Sequence, residues 1–258
     1  MGEKMKKTIA IITGASGGIG SEFVKEMMKE NLDEIWVIAR NNAKLQVLKD
    51  KFGEKIVSIS MDLTNISEIK ELEERLRINK PMIKFLVNNA GVARMASYKE
   101  LHLDEIQSTI MLNCGAMASM SAICIPYMEK GSVIFNVASA SAFQPLPYLN
   151  LYASTKAFER NYSRALNVEL KPTGILSIAV CPSWVDTELL MKEINGKKIK
   201  FDGIVSAERV VKLAIKDAKA GKDISVCSAY VKWLHVLVKL TPQKITMKIW
   251  MRKIGKYL

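Results

Sequence analysis

Short apolar runs alternate with longer amphipathic segments along the chain, and this alternation predicts its architecture. Each run is rich in β-branched residues and stops at glycine, proline or polar residues, which is typical of a buried parallel strand. The predicted strands are residues 8–13, 35–39, 56–61, 83–87, 132–138, 175–181 and 223–228. The predicted helices run from the first glycines to about residue 29 and over 67–78, 103–128, 152–170 and 206–220, with a loop and helix region at 183–204.

Strands that alternate with helices need crossover connections, so the pattern predicts an α/β fold with a three-layer, doubly wound parallel sheet (a Rossmann fold). In such sheets, ligands bind beyond the carboxyl ends of the strands. The chemistry-bearing residues of this chain follow its predicted strands directly. They are Gly14–Gly20, Arg40, Asp62, Asn88–Gly91, Ser139 and Pro182.

Length and composition fit one globular domain, because 258 residues with 49% hydrophobic content can bury a sizeable core. The net charge of +12 fits either a nucleic-acid or membrane partner or a basic enzyme that binds anionic ligands. No nucleic-acid-binding module accompanies the charge, so we expect no nucleic-acid partner.

Targeting and metal signals point to a reduced, cytoplasmic protein. The four cysteines are widely and irregularly spaced and the chain has two histidines, so neither a disulfide framework nor a metal site is expected. The N-terminus leads straight into an apolar strand without an h-region or cleavage site, so no secretory signal is expected. No stretch approaches about 20 apolar residues, so we expect no spanning helix.

Residues 14–20 form a glycine-rich turn between a predicted strand and a predicted helix. Glycines permit the tight turn and let backbone N–H groups approach a pyrophosphate at the positive N-terminus of the helix. The sequence therefore predicts a dinucleotide site. About 20 residues further on, where NAD-type sites carry an acid, this chain has Arg40, with Lys44 one turn later. A guanidinium binds a 2′-phosphate with paired hydrogen bonds, so NADP(H) is favoured over NAD(H).

Tyr152 and Lys156 lie four residues apart and project from the same face of a predicted helix. A nearby cation favours the phenolate, so such a tyrosine can donate or accept a proton near neutral pH. Reduction of a carbonyl or oxidation of an alcohol requires that proton transfer.

Together these motifs resemble the short-chain dehydrogenase/reductase family over about residues 6–228. Thr13–Gly20 resembles the family's cofactor turn, Asp62 its adenine-contacting acid, and Asn88–Gly91 its Asn-Asn-Ala-Gly strand end. Asn113, Ser139, Tyr152 and Lys156 match its catalytic positions. The resemblance implies that Tyr152 protonates the carbonyl oxygen while a bound nicotinamide supplies the hydride. It also implies that Ser139 holds that oxygen, Lys156 binds the nicotinamide ribose and acidifies Tyr152, and Asn113 holds a relay water.

The same resemblance implies a set of cofactor contacts. They are Gly14, Ser16, Gly18, Ile19, Gly20, Arg40, Asp62, Leu63, Asn89, Ala90, Gly91, Tyr152, Lys156, Pro182, Val185 and Thr187. Two departures stand out. Ser183 replaces the glycine that usually follows Pro182, and the glycine turn lacks a basic residue at Ser16 or Gly17, so Arg40 largely carries the NADP prediction alone.

Residues 140–151 and 188–204 are expected to flank a substrate cleft with a mostly apolar lining. This predicts a hydrophobic substrate, such as a steroid, a fatty-acyl group or another lipid-like carbonyl. The alternative is that these apolar residues make ordinary core and loop contacts. The predicted substrate contacts are Ser139, Phe143, Tyr148, Tyr152 and Trp184.

The chain divides at the sequence level into a catalytic domain, 1–229, and a basic helical extension, 230–258, that contains no acidic residue. Thr241-Pro242 is typical of an N-cap followed by a first-turn proline. Met247, Trp250, Met251 and Ile254 share one face of the helix that follows. This helix can lie on an anionic membrane, cover the substrate cleft or pack on a partner subunit. The tail, the Pro-Ser-Trp loop and the Gln144–Pro147 run resemble the 17β-hydroxysteroid dehydrogenase and 3-oxoacyl-CoA reductase branch of the family.

Two other functions remain open at this stage. One is a non-catalytic, NADP-binding regulator on the same fold, because fold alone does not define function. The other is a membrane-surface lipid-binding protein that relies on the tail. The resemblance also implies a homodimer or homotetramer built on the helices that carry Asn113 and Tyr152.

Overall fold

Seven parallel strands form one sheet with helices on both of its faces. The structure is a computed structural model that describes residues 6–188, 190, 192–194, 196–199, 201 and 203–257. The strands of the sheet are β1 (Thr8–Thr13), β2 (Glu34–Ala39), β3 (Ile56–Ser60), β4 (Met82–Asn88), β5 (Val133–Val137), β6 (Leu176–Val180) and β9 (Ile224–Ser225). Their order across the sheet is β3-β2-β1-β4-β5-β6-β9, which confirms the predicted doubly wound α/β fold.

Helices connect the strands and cover the sheet. They are α1 (Gly18–Met27), α2 (Asn42–Phe52), α3 (Ile66–Asn79), α4 (Leu103–Ile110), α5 (Met117–Cys124), α6 (Asn150–Glu169), α7 (Ala207–Lys219), α8 (Ala229–Leu240) and α9 (Gln243–Ile254). Two apolar cores result, one on each face of the sheet. Phe23 of α1 and Phe135 of β5 meet in the first core with ring centroids 5.2 Å apart. Leu72, Met120 and Ile134 are buried together in the second core.

The strand registers bring the predicted site residues to one edge of the sheet. β1 pairs with β2 on one side and β4 on the other, with Ile12 opposite both Val37 and Val87. Thr13, Ala39 and Asn88 therefore end their strands side by side. The last predicted strand, 223–228, shortens to two residues that pair with Ala179 and Val180 of β6.

The region 183–204, predicted as loop and helix, contains no helix within its described residues. A two-stranded antiparallel hairpin forms instead from β7 (Glu193–Ile194) and β8 (Lys197–Lys198). An isolated parallel bridge between Val185 and Val205 joins the two ends of this region.

The helix predicted over 103–128 is interrupted at its centre. A π-helical segment, Met111–Ala116, separates α4 from α5, and a 3₁₀ turn, Ile125–Tyr127, ends the stretch. By length and composition Leu103–Tyr127 could cross a membrane, contrary to the expectation from the sequence. Within this stretch, the buried side chains of α5, Met120 and Cys124 among them, pack in the core on the sheet.

A chain of buried polar side chains, the Asn88–Ser177 network, crosses the centre of the sheet. Asn88 Nδ2 donates to Ser121 Oγ (3.1 Å) and to Asn136 Oδ1 (2.8 Å). Asn136 Nδ2 in turn donates to Ser163 Oγ (3.0 Å) and Ser177 Oγ (3.1 Å). The network therefore joins β4, β5 and β6 to the helices packed against them.

The C-terminal helix α9 packs against the body of the protein. Trp250 and Ile254 are buried with Leu146, Leu149 and Ala153, and Trp250 Nε1 donates to Pro147 O at 2.9 Å. The predicted apolar face of this helix thus points inward. The helix begins one residue later than predicted, since Pro242 itself occupies the N-cap position.

Candidate active site

The glycine turn forms a cradle in which side chains would not fit. Gly14 and Gly18 have φ angles of 61° and 53°, a left-handed conformation that favours glycine. A Cβ atom at Gly20 would overlap the carbonyl oxygen of Gly14. Gly17 precedes α1 and has no side chain to cap the first-turn N–H groups of that helix. The turn therefore fits the pyrophosphate of a dinucleotide at a helix N-terminus.

Hydrogen bonds hold the Asn-Asn-Ala-Gly strand end against this turn. Thr13 Oγ1 accepts from the backbone N–H groups of Asn89 (3.0 Å) and Ala90 (3.1 Å) and donates to Val87 O (3.2 Å). Asn89 Nδ2 donates to Gly14 O at 3.0 Å. The role of Asn89 is thus to join β4 to the turn after β1.

The loop after β6 reaches the same turn. A Cβ atom at Gly18 would lie 2.9 Å from the methyl group of Thr187, so Thr187 lies directly over the start of α1. Pro182 O accepts from Ala140 N at 2.8 Å, which ties this loop to the residue after Ser139. Within the described part of the chain, only Lys80 and Tyr148 among non-glycine residues have positive φ angles. Ser183 therefore replaces glycine without left-handed backbone strain.

The end of β2 carries a cation next to the acid at the end of β3. Arg40 is exposed, and Asp62 is half-buried with its Oδ1 accepting from Thr64 N (2.9 Å) and Thr64 Oγ1 (2.8 Å). The Thr64 backbone bond, the Thr64 hydroxyl and the positive charge of Arg40 lower the pKa of Asp62. The adjacent Leu63 is buried. Lys44 forms an exposed ion pair with Glu188 (2.9 Å).

Asn113 lies in the π-helical segment and is fully buried. Its Oδ1 accepts from Val92 N (2.9 Å), and its Nδ2 donates to Val92 O (3.0 Å) and Thr155 Oγ1 (2.9 Å). A Cβ atom at Gly91 would lie 3.2 Å from Asn113 Oδ1 and 3.4 Å from Lys156 Nζ. The amide of Asn113 is therefore engaged in joining three segments of the site.

Tyr152 and Lys156 occupy one face of α6, as predicted. Lys156 Nζ lies 5.7 Å from the ring centroid of Tyr152 and donates to Val137 O at 2.8 Å. Ser139 follows β5, and its Oγ accepts from Ser141 N at 3.1 Å. The side chain of Tyr152 is half-buried and that of Lys156 is buried.

Sequence reasoning missed two residues that support this arrangement. Thr155 binds Asn113, and Glu159 binds Lys156 with both carboxylate oxygens at 2.9 Å. The three-residue spacing of Lys156 and Glu159 could have suggested the pair, since residues three apart are neighbours on a helix.

Tyr152 packs against an apolar cluster formed by Leu146, Leu149, Ala153, Trp250 and Ile254. Tyr148, Trp184, Met95 and Met251 pack around the cluster that α9 completes. Tyr148 adopts a φ of 62°, and its carbonyl accepts from Ala96 N at 2.8 Å. Residues 189, 191, 195, 200 and 202, in the second expected flank, lie outside the described residues.

Phe143 departs from its predicted place in the substrate cleft. It is buried, stacks on His235 of α8 with ring centroids 4.0 Å apart, and lies under the guanidinium of Arg160. The ring belongs to a separate apolar cluster with Ala138, Cys181 and Val231. The side chain of Phe143 thus packs against α8, in a cluster other than the one that contains Tyr152.

Comparisons with known proteins identify the family of this chain and agree with its fold. The model of the short chain dehydrogenase family matches residues 8–198. Very-long-chain 3-oxoacyl-CoA reductase from Anas platyrhynchos is 30% identical over 253 residues, covering 93% of this chain and 78% of that protein. 17-beta-hydroxysteroid dehydrogenase type 3 from Rattus norvegicus is 28% identical over 262 residues, covering 96% of this chain and 83% of that protein.

A solved structure, a short-chain dehydrogenase from Sphingobium yanoikuyae in complex with NADPH, superposes with a TM-score of 0.78 at 25% identity. The match covers 93% of this chain and 95% of that one. This chain therefore belongs to the short-chain dehydrogenase family, in its 17β-hydroxysteroid dehydrogenase and 3-oxoacyl-CoA reductase branch, and is an oxidoreductase that acts on CH–OH donors.

Proposed function

We propose that this enzyme interconverts a ketone and a secondary alcohol on a hydrophobic substrate, with NADP(H) as its cofactor. The observation that carries the proposal is the position of Lys156 Nζ, 5.7 Å from the Tyr152 ring centroid and beside the strand end at Gly91. A phenol next to a cation, at the edge of the sheet where the glycine turn also lies, suits proton transfer to a carbonyl oxygen.

In this proposal the roles of the chain's own residues combine the observed geometry with the family resemblance. Tyr152 donates a proton to the carbonyl oxygen in reduction and accepts it in oxidation, and Ser139 Oγ orients that oxygen. Lys156 stabilises the phenolate and binds the nicotinamide ribose. When bound, the nicotinamide supplies or accepts the hydride. Asn113, whose amide also bonds Val92 and Thr155, is the residue that holds the relay water in this proposal.

Arg40 supports the choice of NADP(H). Its exposed guanidinium follows β2 and stands near Asp62, where the adenosine end of a dinucleotide would lie. Lys44, the other nearby cation expected to help, is paired with Glu188. The solved relative in complex with NADPH has the same fold over nearly the whole chain.

The apolar group beside Tyr152 supports a lipid-like substrate. Tyr148, Trp184 and Met251 offer aromatic and flexible apolar surface on the same cluster against which Tyr152 packs, and α9 contributes Trp250 and Ile254 to that cluster. The two relatives are named for steroid and very-long-chain 3-oxoacyl substrates, and these classes are the first to test.

A homo-oligomer built on α4 and α6 remains part of the proposal. Leu103, Ile110, Met111 and Phe158 are exposed on these helices and the π-helical segment. An open depression of about 370 Å³ lies between α4 and α6 and is lined in part by Leu101, Ile106 and Leu151. A second subunit would bury this apolar surface.

The tail supports peripheral contact with an anionic membrane, through a face other than the predicted one. Large apolar side chains are exposed at helical spacing on α8 and α9. This outer tail face consists of Trp233, Val236, Leu240, Ile245 and Ile249. The exposed lysines of the tail accompany it, and no acidic residue follows Asp223. Apolar side chains among cations suit the headgroup region of an anionic bilayer.

The decisive experiment is a cofactor-oxidation screen with ketosteroids, 3-oxoacyl thioesters and aromatic ketones, using NADPH and NADH. Turnover in at least one class, lost in Tyr152→Phe with NADPH binding retained, is the expected result. A non-catalytic regulator would bind NADPH and turn over none of these carbonyls. Normal rates in Tyr152→Phe would instead refute the assigned mechanism.

A further inference from the structure

Lys156 shares its buried position with a carboxylate from the same helix. Glu159 lies one turn later on α6, and both of its oxygens are 2.9 Å from Lys156 Nζ. Only 5% of Lys156 and 2% of Glu159 is exposed. Val137 O, at the end of β5, is the third acceptor of the ammonium group at 2.8 Å. An ammonium has three N–H donors, so the protein itself can satisfy all of them.

The two charges depend on each other. Burial raises the pKa of Glu159 to about 7, while the nearby Lys156 opposes the rise. Burial also disfavours the charged form of Lys156, but the carboxylate of Glu159 outweighs this effect and raises the pKa of Lys156. Removing one partner would leave an uncompensated buried charge, which is strongly unfavourable.

Among the described residues, a tyrosine and two cysteines are the other titratable groups that interact with this pair. Tyr152 lies on the same helix, Cys114 approaches from the π-helical segment, and Cys181 approaches from the end of β6. Burial raises the pKa of Cys114 to about 11 and that of Cys181 to about 12, so both thiols stay neutral near pH 7. The neighbouring Arg160 acts on Cys181 and stacks over Phe143. Glu159 is therefore the acid that governs the local charge around Lys156.

We propose that Glu159 is a positioning residue for Lys156, holding its ammonium at the end of β5 and moderating the charge that acts on Tyr152. The proposal deepens the proposed function and rests on it for the role of Lys156. Both carboxylate oxygens of Glu159 accept from the ammonium of Lys156. Lys156 can therefore turn one N–H to a cofactor ribose while its bond to the other oxygen holds the ammonium in place. The carboxylate also cancels part of the field that the ammonium exerts on the Tyr152 ring 5.7 Å away.

Tyrosinate absorbance tests this without any substrate. The pH titration of Tyr152 is the difference between a protein and its Tyr152→Phe counterpart, recorded with and without NADPH. Glu159→Gln keeps the shape and removes the carboxylate charge, so the titration midpoint should move by about one pH unit. It falls if Lys156 keeps its proton and rises if the buried ammonium loses its proton once its partner is gone. Glu159→Asp keeps the charge and should stay near the wild-type midpoint. An unchanged midpoint in Glu159→Gln would overturn the proposal.

Thermal unfolding provides a second, independent test of the pair. Lys156→Met alone leaves Glu159 buried and unpaired, whereas Lys156→Met combined with Glu159→Gln removes both charges. The double variant should melt at a higher temperature than Lys156→Met at pH 8, and equal melting temperatures would contradict the coupling. If the carbonyl screen finds no substrate, the absorbance and melting results still stand, so the two failures are distinguishable.

Discussion

Asn113 Nδ2 donates to Thr155 Oγ1 over 2.9 Å, which joins the π-helical segment to the helix that carries Tyr152 and Lys156. Both residues are buried. The Thr155 hydroxyl also donates to Tyr152 O at 2.9 Å, so one side chain links two parts of the site.

We expect Thr155→Val to lose about 2 kcal/mol of unfolding free energy, because a buried amide donor is left without its acceptor. The rate of carbonyl reduction should fall with it, since α6 loses its link to Asn113. Thr155→Ser keeps the hydroxyl and serves as the control. Chemical unfolding compares the variants, and equal stability of the valine and serine proteins would contradict the assignment.

Two neighbouring glycines should respond differently to alanine. Gly20→Ala would force a Cβ atom onto Gly14 O, whereas nothing lies within 4 Å of a Cβ atom at Gly17, where φ is −167°. Gly20→Ala should therefore abolish NADPH binding or cost about 3 kcal/mol of stability, while Gly17→Ala remains folded. Nicotinamide fluorescence and thermal unfolding measure the two effects. If the Gly20→Ala protein has the melting temperature and the NADPH affinity of the wild type, the close approach of Gly20 to Gly14 O is ruled out.

Arg40→Asp should shift cofactor preference from NADPH toward NADH. Loss of a charge-assisted bond to the 2′-phosphate, together with new repulsion, should change the ratio of kcat/KM values by at least about tenfold. Lys44→Ala is the matched control, because Lys44 is paired with Glu188. An unchanged ratio in Arg40→Asp would remove the basis for the NADP assignment.

Phe158→Glu should dissociate the proposed oligomer, because it places a charge on the exposed apolar surface of α6. Light scattering at micromolar concentration should give a wild-type mass that is a multiple of the 28.8 kDa chain. The mass of the Phe158→Glu variant should be lower. Ile78→Glu, at an exposed site on α3, should leave the mass unchanged. A monomeric wild type would refute the oligomer.

Leu240→Ser with Ile249→Ser should weaken sedimentation with phosphatidylserine-containing vesicles, because both side chains belong to the outer tail face. Val47→Ser with Ile78→Ser removes exposed apolar side chains elsewhere and should leave vesicle binding unchanged. If both double variants bind the vesicles equally, the outer tail face does not contact lipid. Any contact of the tail with the membrane is then made by its lysines alone.

The strands were largely predictable because most of them are buried apolar runs that stop at a glycine or polar residue. β1 matches its prediction to the residue, and β4 extends one residue further at each end. The positions of Arg40, Asp62 and Ser139 at strand ends follow from the same pattern. Parallel topology then brings these residues to one edge of the sheet. Most of the candidate site was therefore predictable without knowledge of the tertiary contacts.

The remaining features depend on tertiary contacts. The sequence of residues 111–116 does not distinguish a π-helical segment from an α-helix. The wider turn occurs where Asn113 bonds Val92 and Thr155, and these contacts come from other parts of the chain. Glu159 on an amphipathic helix is typical of a solvated side chain, yet packing buries it beside Lys156. The tail has two apolar faces, and only the fold reveals that the Trp250 face is covered.

The Asn88–Ser177 network has a consequence for how the chain selects its native pairing. Purely apolar parallel strands can slip relative to one another, because isoleucine and valine pack almost equally well in neighbouring registers. In this sheet a slipped register would separate Asn136 from Asn88 and from Ser163 and Ser177, stranding amide groups in the core. The network therefore favours the native register energetically over misregistered sheets, in which the strand ends would not meet.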